Sequence, residues 1–80
     1  MPRPPILNKD GKLSEFVKGI IRDRKGNLMG FVLETRDEII IEFLAKLSVI
    51  ITIDKKTKEI DMGFEPFIKD PKNLLERLLR

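Results

Sequence analysis

Apolar positions in this chain come in short runs, and polar clusters carrying glycine, proline or aspartate cut between them. From Glu15 to Asp23 the apolar residues are Phe16, Val17, Ile20 and Ile21, which predicts a strand with Gly19 at a bulge. The cluster Arg22-Asp23-Arg24-Lys25-Gly26-Asn27 follows, and Leu28 to Thr35 predicts a second strand. Gly26 and Asn27 tolerate left-handed backbone, so these two strands are expected to form a hairpin. Gly30 inside the second strand predicts a bulge or a close backbone approach.

The run Arg36-Asp37-Glu38-Ile39-Ile40-Ile41-Glu42-Phe43-Leu44 supports two readings. Ile40, Phe43, Leu44 and Leu47 fall at helical spacing with Asp37 as a cap, which fits a helix over 38–47. Three consecutive β-branched isoleucines fit a strand instead. In that reading Arg36-Asp37 makes a tight turn after Thr35, and Ile39, Ile41 and Phe43 alternate with Ile40 and Glu42. The strand reading over 38–43 is preferred, followed by an irregular link through Ala45 and Lys46 and a strand over 48–54. Glu38, Ile40 and Glu42 would then form one row, expected to face solvent.

The next hairpin is plainer. Val49, Ile51 and Ile53 alternate with Ile50 and Thr52, Lys55-Lys56-Thr57-Lys58 makes a polar loop, and residues 59–64 return as a fifth strand. Near the end, Asp70 as N-cap and Pro71 at the first helical position predict a helix over 70–80. Its apolar stripe is Leu74, Leu75, Leu78 and Leu79, the candidate surface for self-association. At the other end, three prolines among the first five residues favour an extended arm over 1–13, with Ile6 and Leu7 tucked against the body and a turn at Asn8-Lys9-Asp10-Gly11. The expected class is α+β but mainly β: a small five-stranded antiparallel barrel, closed or open, spanning 14–68 and capped by the C-terminal helix.

Eighty residues make one domain, and a domain of that size buries only about 60% of the surface its unfolded chain exposes. Aliphatic residues and five phenylalanines supply the core; tryptophan and tyrosine are absent. The chain has no cysteine and no histidine. That removes disulfides, thiolate metal sites, the commonest metal ligand and the usual general base. Glutamine is also absent and asparagine scarce, while charged residues and isoleucine are plentiful; this pattern is expected of a thermophile. No apolar run approaches the roughly 18 residues that span a bilayer, and no basic-then-apolar segment opens the chain, so a cytoplasmic setting is expected.

The net charge of +3 is mild and acidic residues are interleaved throughout. Arg22, Arg24 and Lys25 in one hairpin loop, with Lys55, Lys56 and Lys58 in the other, would form a phosphate-attracting patch if both loops lay at the same end. Phe64 and Phe67 are the aromatics available for stacking on bases. The glycine turn at 23–27 leads into a strand instead of a helix and lacks the Gly-Lys-Ser/Thr signature, so it reads as a turn and not as a phosphate loop. Glu34, Asp37, Glu38 and Glu42 are close in sequence but read as a surface row, not as a converging metal site. Ser14, Ser48, Thr35, Thr52 and Thr57 have no histidine to activate them. No catalytic, cofactor or metal site is expected.

The segment Val17 to Glu34 resembles the opening hairpin of the PRC-barrel family, in which a strand leads into an Asp-x-x-Gly turn and then x-x-x-Gly-x-Val. Asp23, Gly26, Gly30 and Val32 match that spacing, and the stretch Ile51 to Ile60 is similar to a later hairpin of such domains. The resemblance covers roughly half the chain and implies a non-catalytic module used in protein or RNA assembly. The isoleucine-rich centre and the proline arm depart from the pattern. The reading is a non-enzymatic interaction module that self-associates or meets a protein partner. The alternative is a small-barrel RNA- or DNA-binding protein working through the two basic loops.

Overall fold

A computed structural model of the chain describes residues 4–44 and 47–66. Five strands follow one another as an antiparallel meander, β1 (Val17–Arg22), β2 (Leu28–Glu34), β3 (Glu38–Phe43), β4 (Leu47–Asp54) and β5 (Ile60–Pro66), and pair in that same order in one sheet. The strand reading of 38–43 holds over the helical one. Three successive isoleucines lose side-chain freedom in a helix but fit a pleated surface. Among the described residues β1 and β5 are both edges, each paired on one side only, so the sheet is not closed into a barrel. The expected helix over 70–80, with Leu74, Leu75, Leu78 and Leu79, lies outside the described residues. Among those residues no helix is long and apolar enough to cross a membrane.

The turns are built from local chemistry. In the β1–β2 turn the Asp23 carboxylate accepts from the backbone amides of Lys25 (2.8 Å) and Asn27 (2.9 Å) and from the Asn27 side chain (3.0 Å). Gly26 sits at φ +86°, a region that costs any other L-residue steric strain. Asp54 does the same for the β4–β5 turn, accepting from Lys56 N at 2.8 Å and Thr57 N at 2.9 Å. The β2–β3 turn closes over Arg36 and Asp37, with Thr35 N donating to the Glu38 carbonyl (2.9 Å) and Glu38 N to Thr35 Oγ1 (3.1 Å).

Two irregularities shape the first hairpin. The β1–β2 register shifts between Val17 and Gly19, and again between Ile21 and Arg22. Strand β2 then runs so close to β3 that a Cβ on Gly30 would land on the Glu42 carbonyl oxygen and press the Phe43 Cα. Glycine is there because the backbones touch.

The core lies on one side of the sheet. Leu28, Phe31, Leu33, Ile40, Leu44 and Ile50 are buried together, and Ile6, Leu7, Leu13, Phe16 and Val17 pack against them. The arm does tuck in: Leu7 pairs with Leu13 across the Asn8–Lys12 turn, and Ser14 N donates to the Ile6 carbonyl at 2.8 Å. Burying each of the large apolar side chains contributes about 1.5–3 kcal/mol, so this cluster carries most of the fold.

Candidate interaction surface

Register partners in an antiparallel ladder share a face, and faces alternate along each strand. Ile40 is 1% exposed and Glu42 6%, so the row Glu38, Ile40, Glu42 turns toward the core and not to solvent as its two carboxylates suggested. Phe31 pairs with Glu42, and Leu33 with Ile40. The large side chains of β2 fix the inner face, and β3 follows their register. Every buried side-chain polar atom among the described residues has a hydrogen-bond partner, so Glu42 is accommodated there.

The opposite face of β3, β4 and β5 consists wholly of apolar residues. Ile39 pairs with Ile53 and Ile53 with Ile60; Ile41 pairs with Ile51 and Ile51 with Met62; Phe43 pairs with Val49 and Val49 with Phe64. Three side chains from each of three strands make a plate that holds no charged or hydrogen-bonding side chain. The β3 and β4 members are half-buried by their neighbours. Those of β5, on the free edge, are mostly in solvent: Ile60 66%, Met62 61% and Phe64 58% exposed. Val32 and Ile21, on β2 and β1, continue the same face beyond Gly30. Monomeric soluble proteins rarely leave contiguous apolar surface of this kind open unless something covers it.

The basic residues fall differently. In a meander, successive turns alternate between the two ends of the sheet, so the β1–β2 and β4–β5 turns lie at opposite ends. Arg22, Arg24 and Lys25 are therefore separated from Lys55, Lys56 and Lys58, and the single patch that depended on their meeting does not form. Lys55 is also engaged: its Nζ donates to Glu34 Oε2 at 2.6 Å and to the Thr35 carbonyl at 2.8 Å, while its amide donates to the Asp37 carbonyl at 2.9 Å. Arg22 donates to the Gly26 carbonyl at 2.9 Å. In the 23–27 turn, two of the amides a phosphate would need already bind Asp23. Phe64 lies on the plate beside Val49, and Phe67 lies outside the described residues.

The carboxylates considered together in sequence are also dispersed. Glu34 shares the outer face with Ile39, while Glu38 and Glu42 lie on the inner one. The Ser14 hydroxyl donates to the Pro5 carbonyl, and Thr57 Oγ1 accepts from Glu59 N at 3.2 Å. These hydroxyls serve the local fold.

Two acids tie stability to pH. Glu34 is held below its ordinary value of 4.5, first by the Lys55 hydrogen bond and then by the Lys55 charge. Asp54 is held below 3.8 by the amides of Thr57 and Lys56. A carboxyl depressed in the folded state stabilises fully above its unfolded value and loses that contribution as pH falls through the folded one. The melting temperature is therefore expected to fall on acidification below about pH 4.5. A Glu34→Gln/Asp54→Asn variant should show a flatter acid limb in a pH series of thermal melts. Both groups are solvent-accessible, so the effect is modest.

The plate was legible as three alternating runs, but its outward direction was not. The signal lay in comparing strands: positions 39, 41 and 43, positions 49, 51 and 53, and positions 60, 62 and 64 are all apolar, while their intervening positions mix Glu, Thr, Asp and Gly with isoleucine. Compared with protein-family models, curated proteins and solved structures, the chain matches none of them.

Proposed function

We propose that this protein is a non-enzymatic interaction module that self-associates through the apolar β3–β5 half of its sheet. The observation that carries the reading is the registered plate, free of charge and open along β5. Covering the exposed β5 side chains Ile60, Met62 and Phe64 would contribute up to about 1.5–3 kcal/mol each, which a partner supplies and water does not. A helix over 70–80 carrying Leu74, Leu75, Leu78 and Leu79 belongs to the same proposal, adding apolar surface to the contact between copies. So does the likeness to PRC-barrel domains, supported by the Asp23–Asn27 turn and the tight strand approach at Gly30.

The test uses Met62→Glu. Met62 is mostly in solvent in the single chain, so the substitution should leave the fold and melting of a monomer almost unchanged. Light scattering should show the unmodified chain as an oligomer and Met62→Glu as a monomer. An unmodified chain that stays monomeric at high concentration would remove the reading. The nucleic-acid alternative has a separate assay. Salt-sensitive binding to mixed-sequence RNA or DNA, lost when Arg22, Arg24, Lys25, Lys55, Lys56 and Lys58 are neutralised, would promote it.

A further inference from the structure

The self-association just proposed leaves open how two copies meet, and the sheet offers two routes: edge against edge along β5, or plate against plate. We propose that the partner is a second copy of this chain stacked face to face on the plate, giving a two-layer sandwich and not a continuous sheet. This inference rests on the self-association reading.

Charge decides against the edge. A twofold axis through Gly63, the middle of β5, would set Asp61 opposite Glu65 of the second copy, and Glu65 opposite its Asp61. Like charges directly opposed across a ladder are destabilising. Pro66, at the end of the same strand, has no backbone N–H to donate to an added strand. The β5 edge therefore resists pairing with itself.

The plate has the opposite character. Its occupant must be apolar, free of charge and shaped to a twisted sheet, and among the described residues the surface that meets this description is the plate itself. Two such faces pack about 10 Å apart with their strands within about 30° of alignment. A twofold contact is satisfied by one self-complementary patch. Three strands about 4.8 Å apart and five residues at about 3.4 Å rise give a plate of roughly 15 by 17 Å, extended sideways by Val32 and Ile21. That is small for an interface, so a weak, concentration-dependent dimer is expected.

The absence of native cysteine makes single-cysteine reporters free of background. Ile51 stands at the centre of the plate, close to its own counterpart in a face-to-face pair; Gly63 stands at the centre of the edge. Treated with a short bismaleimide that spans the roughly 10 Å between stacked sheets, full-chain Ile51→Cys is expected to give covalent dimers on a denaturing gel and Gly63→Cys is expected to run as a single chain. Cross-linking of Gly63→Cys but not Ile51→Cys would overturn the stacked arrangement while leaving self-association standing. Failure of both in a chain that light scattering shows to be dimeric would also overturn it. Failure of both in a monomeric chain would remove self-association itself, with the plate then covered from within the chain. Should Ile51→Cys not fold, Asp61→Lys gives a second reading on the exposed side of β5. Stacked plates leave its dissociation constant within about twofold of the unmodified chain, whereas paired edges tighten it, because lysine would oppose Glu65.

Discussion

Gly30→Val is expected to cost at least about 3 kcal/mol of stability, enough to leave much of the population unfolded in an 80-residue domain. The reason is the backbone and not the turn beside it. A Cβ at Gly30 would occupy the same space as the Glu42 carbonyl oxygen and crowd the Phe43 Cα, and no rotamer relieves this, because the main chain fixes where the Cβ sits. Relief requires β2 and β3 to part at Gly30–Phe43, next to the buried pair Phe31–Glu42. Asn27→Ser, three residues away, provides the control. It loses one exposed side-chain hydrogen bond of 3.0 Å to Asp23, worth about 0.5–1 kcal/mol. Urea titrations of the two variants should therefore have well-separated midpoints. Coincident midpoints would mean that β2 does not approach β3 as described.

The second large effect separates the two faces of β3. Ile40 is 1% exposed and sits in the core beside Leu33, whereas Ile41 is half-buried on the plate between Val32 and Ile51. Placing a carboxylate at Ile40 buries a charge among apolar side chains at a cost of several kcal/mol, so Ile40→Glu should fail to fold. Ile41→Glu should cost less in the single chain, keep its β-sheet circular dichroism, and lose self-association. If Ile41→Glu unfolds and Ile40→Glu does not, the sheet faces the other way.

How much of this was readable in the sequence depends on the range of the interactions involved. The turns were legible because each is written within about five residues. Asp23 and Asp54 bind amides two to four residues ahead, and Gly26 supplies the left-handed position. The run Ile39-Ile40-Ile41 favoured a strand on local grounds, and the close approach at Gly30 was signalled by a glycine where a strand wants bulk. The facing of β3 was not legible in that way. Both of its rows contain isoleucine, and the row carrying Glu38 and Glu42 is the more polar, so local pattern pointed it at water. What turns it inward is the pairing of Glu42 with Phe31 and of Ile40 with Leu33, together with the arm that packs Ile6, Leu7 and Leu13 over the same side. Those contacts join segments far apart in the chain. The separation of the basic loops followed from counting turns along a meander, in which the first and the fourth face opposite ways.

Strands β3, β4 and β5 turn an apolar, charge-free face outward, and in the proposed assembly that face meets a second copy. Sedimentation equilibrium of the unmodified chain over a wide concentration range, at low and at high salt, is the test of that contact. A reversible dimer is expected, with association undiminished or strengthened at high salt, because apolar contact is not screened. A chain that remains monomeric at every concentration, or a dimer that dissolves as salt is raised, would contradict it.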